Sequence, residues 1–126
     1  MKDTEFKRQK KRIVTLIDKW HTLLGLKWWK VSYSYAESSV SMPKDVNEDT
    51  MAACKVRWEY MEAVITWNMQ KVQDQNDKEL ENAFLHECMH ILVNEMRADR
   101  KDIKHEERVC STLANAFIWV REANDG

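Results

Sequence analysis

A chain of 126 residues has material for one hydrophobic core and is too short for two, so a single domain spanning 1–126 is expected. With 44% hydrophobic and 33% charged residues, it falls outside the disordered and membrane-embedded classes. A net charge of -1 provides no general attraction to nucleic acid.

The pattern between residues 4 and 24 puts Phe6, Ile13, Leu16, Ile17, Trp20, Leu23 and Leu24 on one stripe among lysines and arginines, which predicts an amphipathic helix stopped by Gly25. Lys2, Lys7, Arg8, Lys10, Lys11 and Arg12 make its start locally basic, read first as a solvated face. From Lys27 to Tyr35 the period becomes two, with Trp29, Val31, Tyr33 and Tyr35 opposed to Lys30, Ser32 and Ser34: a half-buried strand. Residues 36–50 hold serines, acids and Pro43 without periodicity and read as a surface loop.

Alternation returns with Ala52, Cys54, Val56, Trp58 and Tyr60, and again with Ala63, Ile65 and Trp67. These two strands are expected to pair as a hairpin, although the turn near Met61 lacks Asn-Gly or Asp-Gly. Asn76 with Glu79 forms a capping box before Leu80, Phe84, Cys88, Ile91, Leu92 and Met96, predicting a helix over 77–98. A polar stretch from Arg97 to Lys104 ends it. A last helix over 105–121 is expected to turn Val109, Leu113, Ala116, Phe117 and Val120 to the core.

The fold class is therefore α+β: an N-terminal helix, a three-stranded, mostly antiparallel sheet, then two helices. The six tryptophans and three tyrosines are read as core or strand-face residues. Cys54, Cys88 and Cys110 are odd in number and show no CxxC spacing, which argues against a disulfide framework and a thiolate zinc cluster; all three are read as reduced and mostly buried. No apolar run is long enough to cross a bilayer and no apolar leader opens the chain, so a cytoplasmic protein without a membrane partner is expected.

His86-Glu87-Cys88-Met89-His90 is an HExxH sequence inside the predicted 77–98 helix. Side chains four apart on a helix share a face, so both imidazoles can reach one ion, while Glu87 is turned about 100° away and can reach only a water on that ion. Zinc lowers the pKa of such a water to roughly 7, which suits a carboxylate as its general base. A catalytic zinc site needs a third protein ligand, and the start of the next helix offers His105, Glu106 and Glu107. Ser111, four residues beyond Glu107, is placed to bond a ligating histidine from behind. Cys88 and His21 are read as structural.

The HExxH helix followed by a helix carrying glutamate resembles the gluzincin branch of the zincin metallopeptidases, especially small single-domain forms of phage and bacterial genomes, over residues 50–120. The resemblance implies zinc held by His86, His90 and a downstream glutamate, with Glu87 as general base and a polypeptide substrate lying along an edge strand. Glu107 is favoured as the third ligand because Val109 and Leu113 follow it at the family's spacing. Glu106 is the alternative, being nearer the centre of the apolar face. Two other functions compete with a peptidase: a non-catalytic binding module stabilised by zinc, and an accessory protein that meets nucleic acid through the basic first helix.

Overall fold

The computed structural model describes residues 1–43, 49–97 and 103–125. Helix α1 (Asp3–Trp20) leads into strand β1 (Lys30–Ala36), and strands β2 (Ala52–Arg57) and β3 (Glu62–Asn68) follow. A one-turn helix α2 (Met69–Val72) precedes the long helices α3 (Asp77–Arg97) and α4 (Ile103–Asp125). No described helix is long and apolar enough to cross a membrane.

The end of α1 is set by Gly25, which takes the left-handed conformation at φ 73°. Leu26 N–H bonds His21 O at 2.9 Å and Gly25 N–H bonds Thr22 O at 3.2 Å. That is the bond pair of a Schellman cap, and Leu26 is buried beneath it. The next strand therefore begins at Lys30, three residues later than the alternation predicts, because residues 26–28 form a 3-10 turn.

The sheet order is β1-β3-β2, with β3 in the centre. β2 and β3 pair antiparallel as the expected hairpin, with Cys54 opposite Ile65. β1 instead pairs parallel to β3, with Tyr33 opposite Ile65, so the sheet is mixed where mostly antiparallel pairing was expected. Trp58 and Tyr60 do not extend β2. They lie in a 3-10 turn, and the turn closes on Met61 at φ 52°. A methionine in that region bears a steric cost that Gly or Asn avoids, so Met61→Gly is expected to stabilise the hairpin by about 0.5–1 kcal/mol in urea melts.

One face of the sheet carries Ala63, Ile65 and Trp67 into the core. Ile13, Leu16 and Trp20 of α1 and Leu80, Phe84, Leu85, Cys88, Met89 and Ile91 of α3 meet them there. Phe84 lies parallel to both Tyr33 and Trp67, with ring centroids 6.3 Å away in each case. α3 is thus anchored on the sheet two residues before His86. The predicted capping box forms: Glu79 N–H donates to Asn76 Oδ1 at 2.8 Å and Asn76 N–H to Glu79 Oε1 at 3.1 Å.

Two further expectations are corrected. On α4 the buried residues are Glu106, Cys110, Ala114 and Ile118, whereas Phe117 and Val120 are exposed. The helix is rotated so that its smaller side chains meet α3. Trp28, Trp58 and Trp119 are also exposed rather than core residues, because they lie in turns or on the outer side of α4. Parts of the predicted 36–50 loop and of the 97–104 break, residues 44–48 and 98–102, lie outside the described residues.

Of the basic residues at the start of α1, Lys2, Lys7, Arg8, Lys10 and Lys11 are exposed, as a solvated face predicts, and Arg12 is tied into the fold. Arg12 donates to Val72 O at 3.2 Å, Gln75 O at 2.7 Å, Gln9 Oε1 at 2.7 Å and Asp77 Oδ1 at 2.9 Å. It ties α1 to the carbonyls between α2 and α3. Lys10 lies over the Tyr35 ring and Arg8 pairs with Glu5. Arg12→Ala is expected to cost about 2 kcal/mol, seen as a lower urea midpoint, because it strips donors from partly buried carbonyls. An unchanged midpoint would show that Arg12 is not part of the scaffold.

Candidate metal centre

His86 and His90 sit in the middle of α3 on the side facing α4, whereas Cys88 and Met89 of the same motif lie in the core. The two helices run antiparallel and meet along a polar seam. Asn82 Nδ2 donates to Asn115 Oδ1 at 2.6 Å; one turn along, His86 meets Ser111 and Glu107; one turn further, His90 meets Glu107 and Glu106. The four-residue step of each helix sets this spacing.

His86 Nε2 lies 2.7 Å from Glu107 Oε2, His90 Nε2 lies 2.9 Å from Glu107 Oε1, and the two Nε2 atoms are 3.2 Å apart. The rings cross at 74°. His86, His90 and Glu107 each offer a donor atom within 4.8 Å of the others, a group that could hold a metal ion. Glu107 is 49% exposed, which leaves the cluster open to solvent on one side.

The other ring nitrogens point to different partners. His86 Nδ1 is 3.2 Å from Ser111 Oγ, as the i+4 spacing from Glu107 predicts. His90 Nδ1 is 2.9 Å from Glu106 Oε1 and 3.4 Å from Cys110 Sγ. His90, Glu106 and Cys110 form a second group of possible ligands. The adjacent glutamates are therefore divided between the two nitrogens of one imidazole. Glu107 is at Nε2, and Glu106, only 8% exposed, is at Nδ1.

A carboxylate beside a ring nitrogen accepts a proton bond from it, and His90 has one at each nitrogen; a metal on Nε2 would leave the ring proton on Nδ1, facing Glu106. If His86 donates likewise to Ser111, both Nε2 lone pairs and the Glu107 oxygens face one point. Such a set is mutually repulsive unless a cation or shared protons lie between its members.

Burial pushes the Glu87 carboxyl up to about 7; nearby His90 opposes this and Glu107 adds to it. Burial likewise pushes the Cys110 thiol up to about 12, with Glu106, Glu107 and Glu87 contributing, and raises the Cys54 and Cys88 thiols. All three cysteines are free, with Cys88 and Cys110 buried, as the sequence led us to expect. His21, read as structural, bonds the Tyr33 hydroxyl beside Phe84. The His105 side chain lies outside the described residues.

The sequence reading left the glutamate that is not a ligand either exposed or bonded behind a ligand, and Glu106 is found behind His90; Cys110 as a neighbour of His90 and the Asn82–Asn115 pair are absent from that reading. A signal existed: Glu106 and Cys110 repeat, one residue earlier, the i, i+4 spacing of Glu107 and Ser111. Two shallow surface depressions, beside Met1 and Glu37 and beside Met51 and Asn76, include none of the cluster residues. Compared with known proteins, the chain matches no family model, no curated protein and no solved structure.

Proposed function

We propose that this protein is a zinc-dependent metallopeptidase of gluzincin-like type, with His86, His90 and Glu107 as metal ligands and Glu87 as general base. One observation carries the reading: two imidazole nitrogens and a carboxylate, supplied by two packed helices, converge with their donor atoms at ligand spacing. Two nitrogens bound tetrahedrally to one zinc at about 2.0–2.1 Å stand about 3.3 Å apart. The two Nε2 atoms here are 3.2 Å apart. Two histidines and one glutamate also match the ligand set of catalytic zinc sites, which keep a further position open.

Zinc held there would polarise a carbonyl and bring the pKa of a coordinated water to roughly 7. The chain's own contribution is proton handling and orientation. Glu87, between the two ligand histidines in the chain and close enough to His90 and Glu107 to feel their charge, would take the proton of such a water and return it, which peptide hydrolysis requires of one group in turn. Ser111 steadies the His86 ring. β2 packs over α3 at the edge of the sheet, so its outer backbone groups are suited to an extended polypeptide substrate laid antiparallel along it.

Elemental analysis of purified wild type, His86→Ala and Glu107→Ala tests the site. One zinc per wild-type chain and loss of most of it in both variants is the expected result. Full metal content in both would reject the ligand set. Metal without any hydrolysis of unfolded protein substrates would favour the zinc-stabilised binding module. Of the basic residues on which the nucleic-acid reading rests, Arg12 is committed to the carbonyls of Val72 and Gln75.

A further inference from the structure

We infer that Glu106 is a positioning residue that prepares His90 for the metal: its carboxylate accepts the Nδ1–H of His90 and so holds the Nε2 lone pair toward His86 and Glu107. This rests on the metal-site reading above. Adjacent residues on a helix project about 100° apart, so Glu106 and Glu107 cannot approach the same nitrogen. Here they meet opposite nitrogens of one ring, at 2.9 Å each. The two contacts hold the ring in one orientation, and with a metal in place of the proton on Nε2 the remaining ring proton is the one that Glu106 accepts.

Burial makes the contact consequential. Glu106 is 8% exposed and His90 14%, so the bond forms where water competes little and a carboxylate needs a charge-assisted partner. Ser111 does the corresponding task for His86 from an exposed position with a neutral hydroxyl. Glu106 is therefore expected to matter more than Ser111. Cys110, one turn beyond Glu106, also reaches Nδ1 at 3.4 Å. The rival account is that His90, Glu106 and Cys110 bind a metal themselves.

The test uses the full chain stripped of metal and titrated with zinc against a chromophoric chelator. Glu106→Gln is expected to weaken zinc binding by about 10- to 100-fold, and Ser111→Ala by less, with the urea midpoint of the metal-free chain little changed. Zinc affinity in Glu106→Gln within about twofold of wild type, in a wild type that does bind zinc, would overturn the role of Glu106 and leave the metal site standing. A wild type that binds no zinc would overturn both. Should Glu106→Gln fail to fold, the Nδ1–H proton resonance of His90 in the zinc-loaded wild type decides: a strong downfield shift, the mark of a carboxylate acceptor, is expected, and a resonance at the position of a water-bonded imidazole overturns the inference. Loading with cobalt tests the rival: a thiolate-to-cobalt band that disappears in Cys110→Ser would make Glu106 a ligand and overturn the positioning role.

Discussion

Glu87→Gln is expected to reduce peptide hydrolysis by about 10²- to 10⁴-fold while the chain keeps its metal. Retained metal separates loss of the proton acceptor from loss of the site. The same substitution should act on stability in the opposite sense. The folded state holds the Glu87 proton up to about pH 7, well above the ordinary 4.5, because burial penalises the charged form. The folded state therefore binds that proton more tightly than the unfolded state. Its stabilising effect is complete below about pH 4.5 and is lost as pH rises through about 7. Metal-free Glu87→Gln should then match wild type in urea melts at pH 4 and exceed it at pH 8, by on the order of 3 kcal/mol. Wild-type activity with equal stability at pH 8 would remove Glu87 from the mechanism.

Removing the metal is expected to produce the largest change in thermal stability. An ion that binds only the folded chain, supplied about 1,000-fold above its dissociation constant, adds about 4 kcal/mol. For a chain of this size that corresponds to on the order of 15 °C in Tm. Chelator-treated wild type should lose this increment and regain it on adding zinc. His90→Ala should begin at a low Tm and show no response to either, because it removes the nitrogen that faces both His86 and Glu107. A Tm that is the same with and without chelator would count against a folded-state metal site.

Local signals in the chain predict local structure well. The capping box of Asn76 and Glu79, the stop at Gly25 and the β2–β3 hairpin all form, since each depends on residues close in sequence. HExxH was legible for the same reason: a helix puts His86 and His90 on one face whatever surrounds it. Less could be read where distant elements meet. Alternation marks β1 as a strand but does not reveal that it joins β3 in parallel. α4 carries two apolar stripes, one through Val109, Leu113, Ala116, Phe117 and Val120 and another through Cys110, Ala114 and Ile118. Periodicity identifies the helix without choosing between them.

By itself, then, the sequence determined the helices, the strands and the paired imidazoles, because hydrophobic period, capping and the α-helical repeat act within a few residues. Only the tertiary structure decided which carboxylate faces which nitrogen. The small side chains of Cys110 and Ala114 are buried in the α3–α4 contact, and this rotation carries Glu106 behind His90 and leaves Glu107 in front, between the two rings. Close packing between helices set that rotation, and a one-dimensional pattern does not contain it.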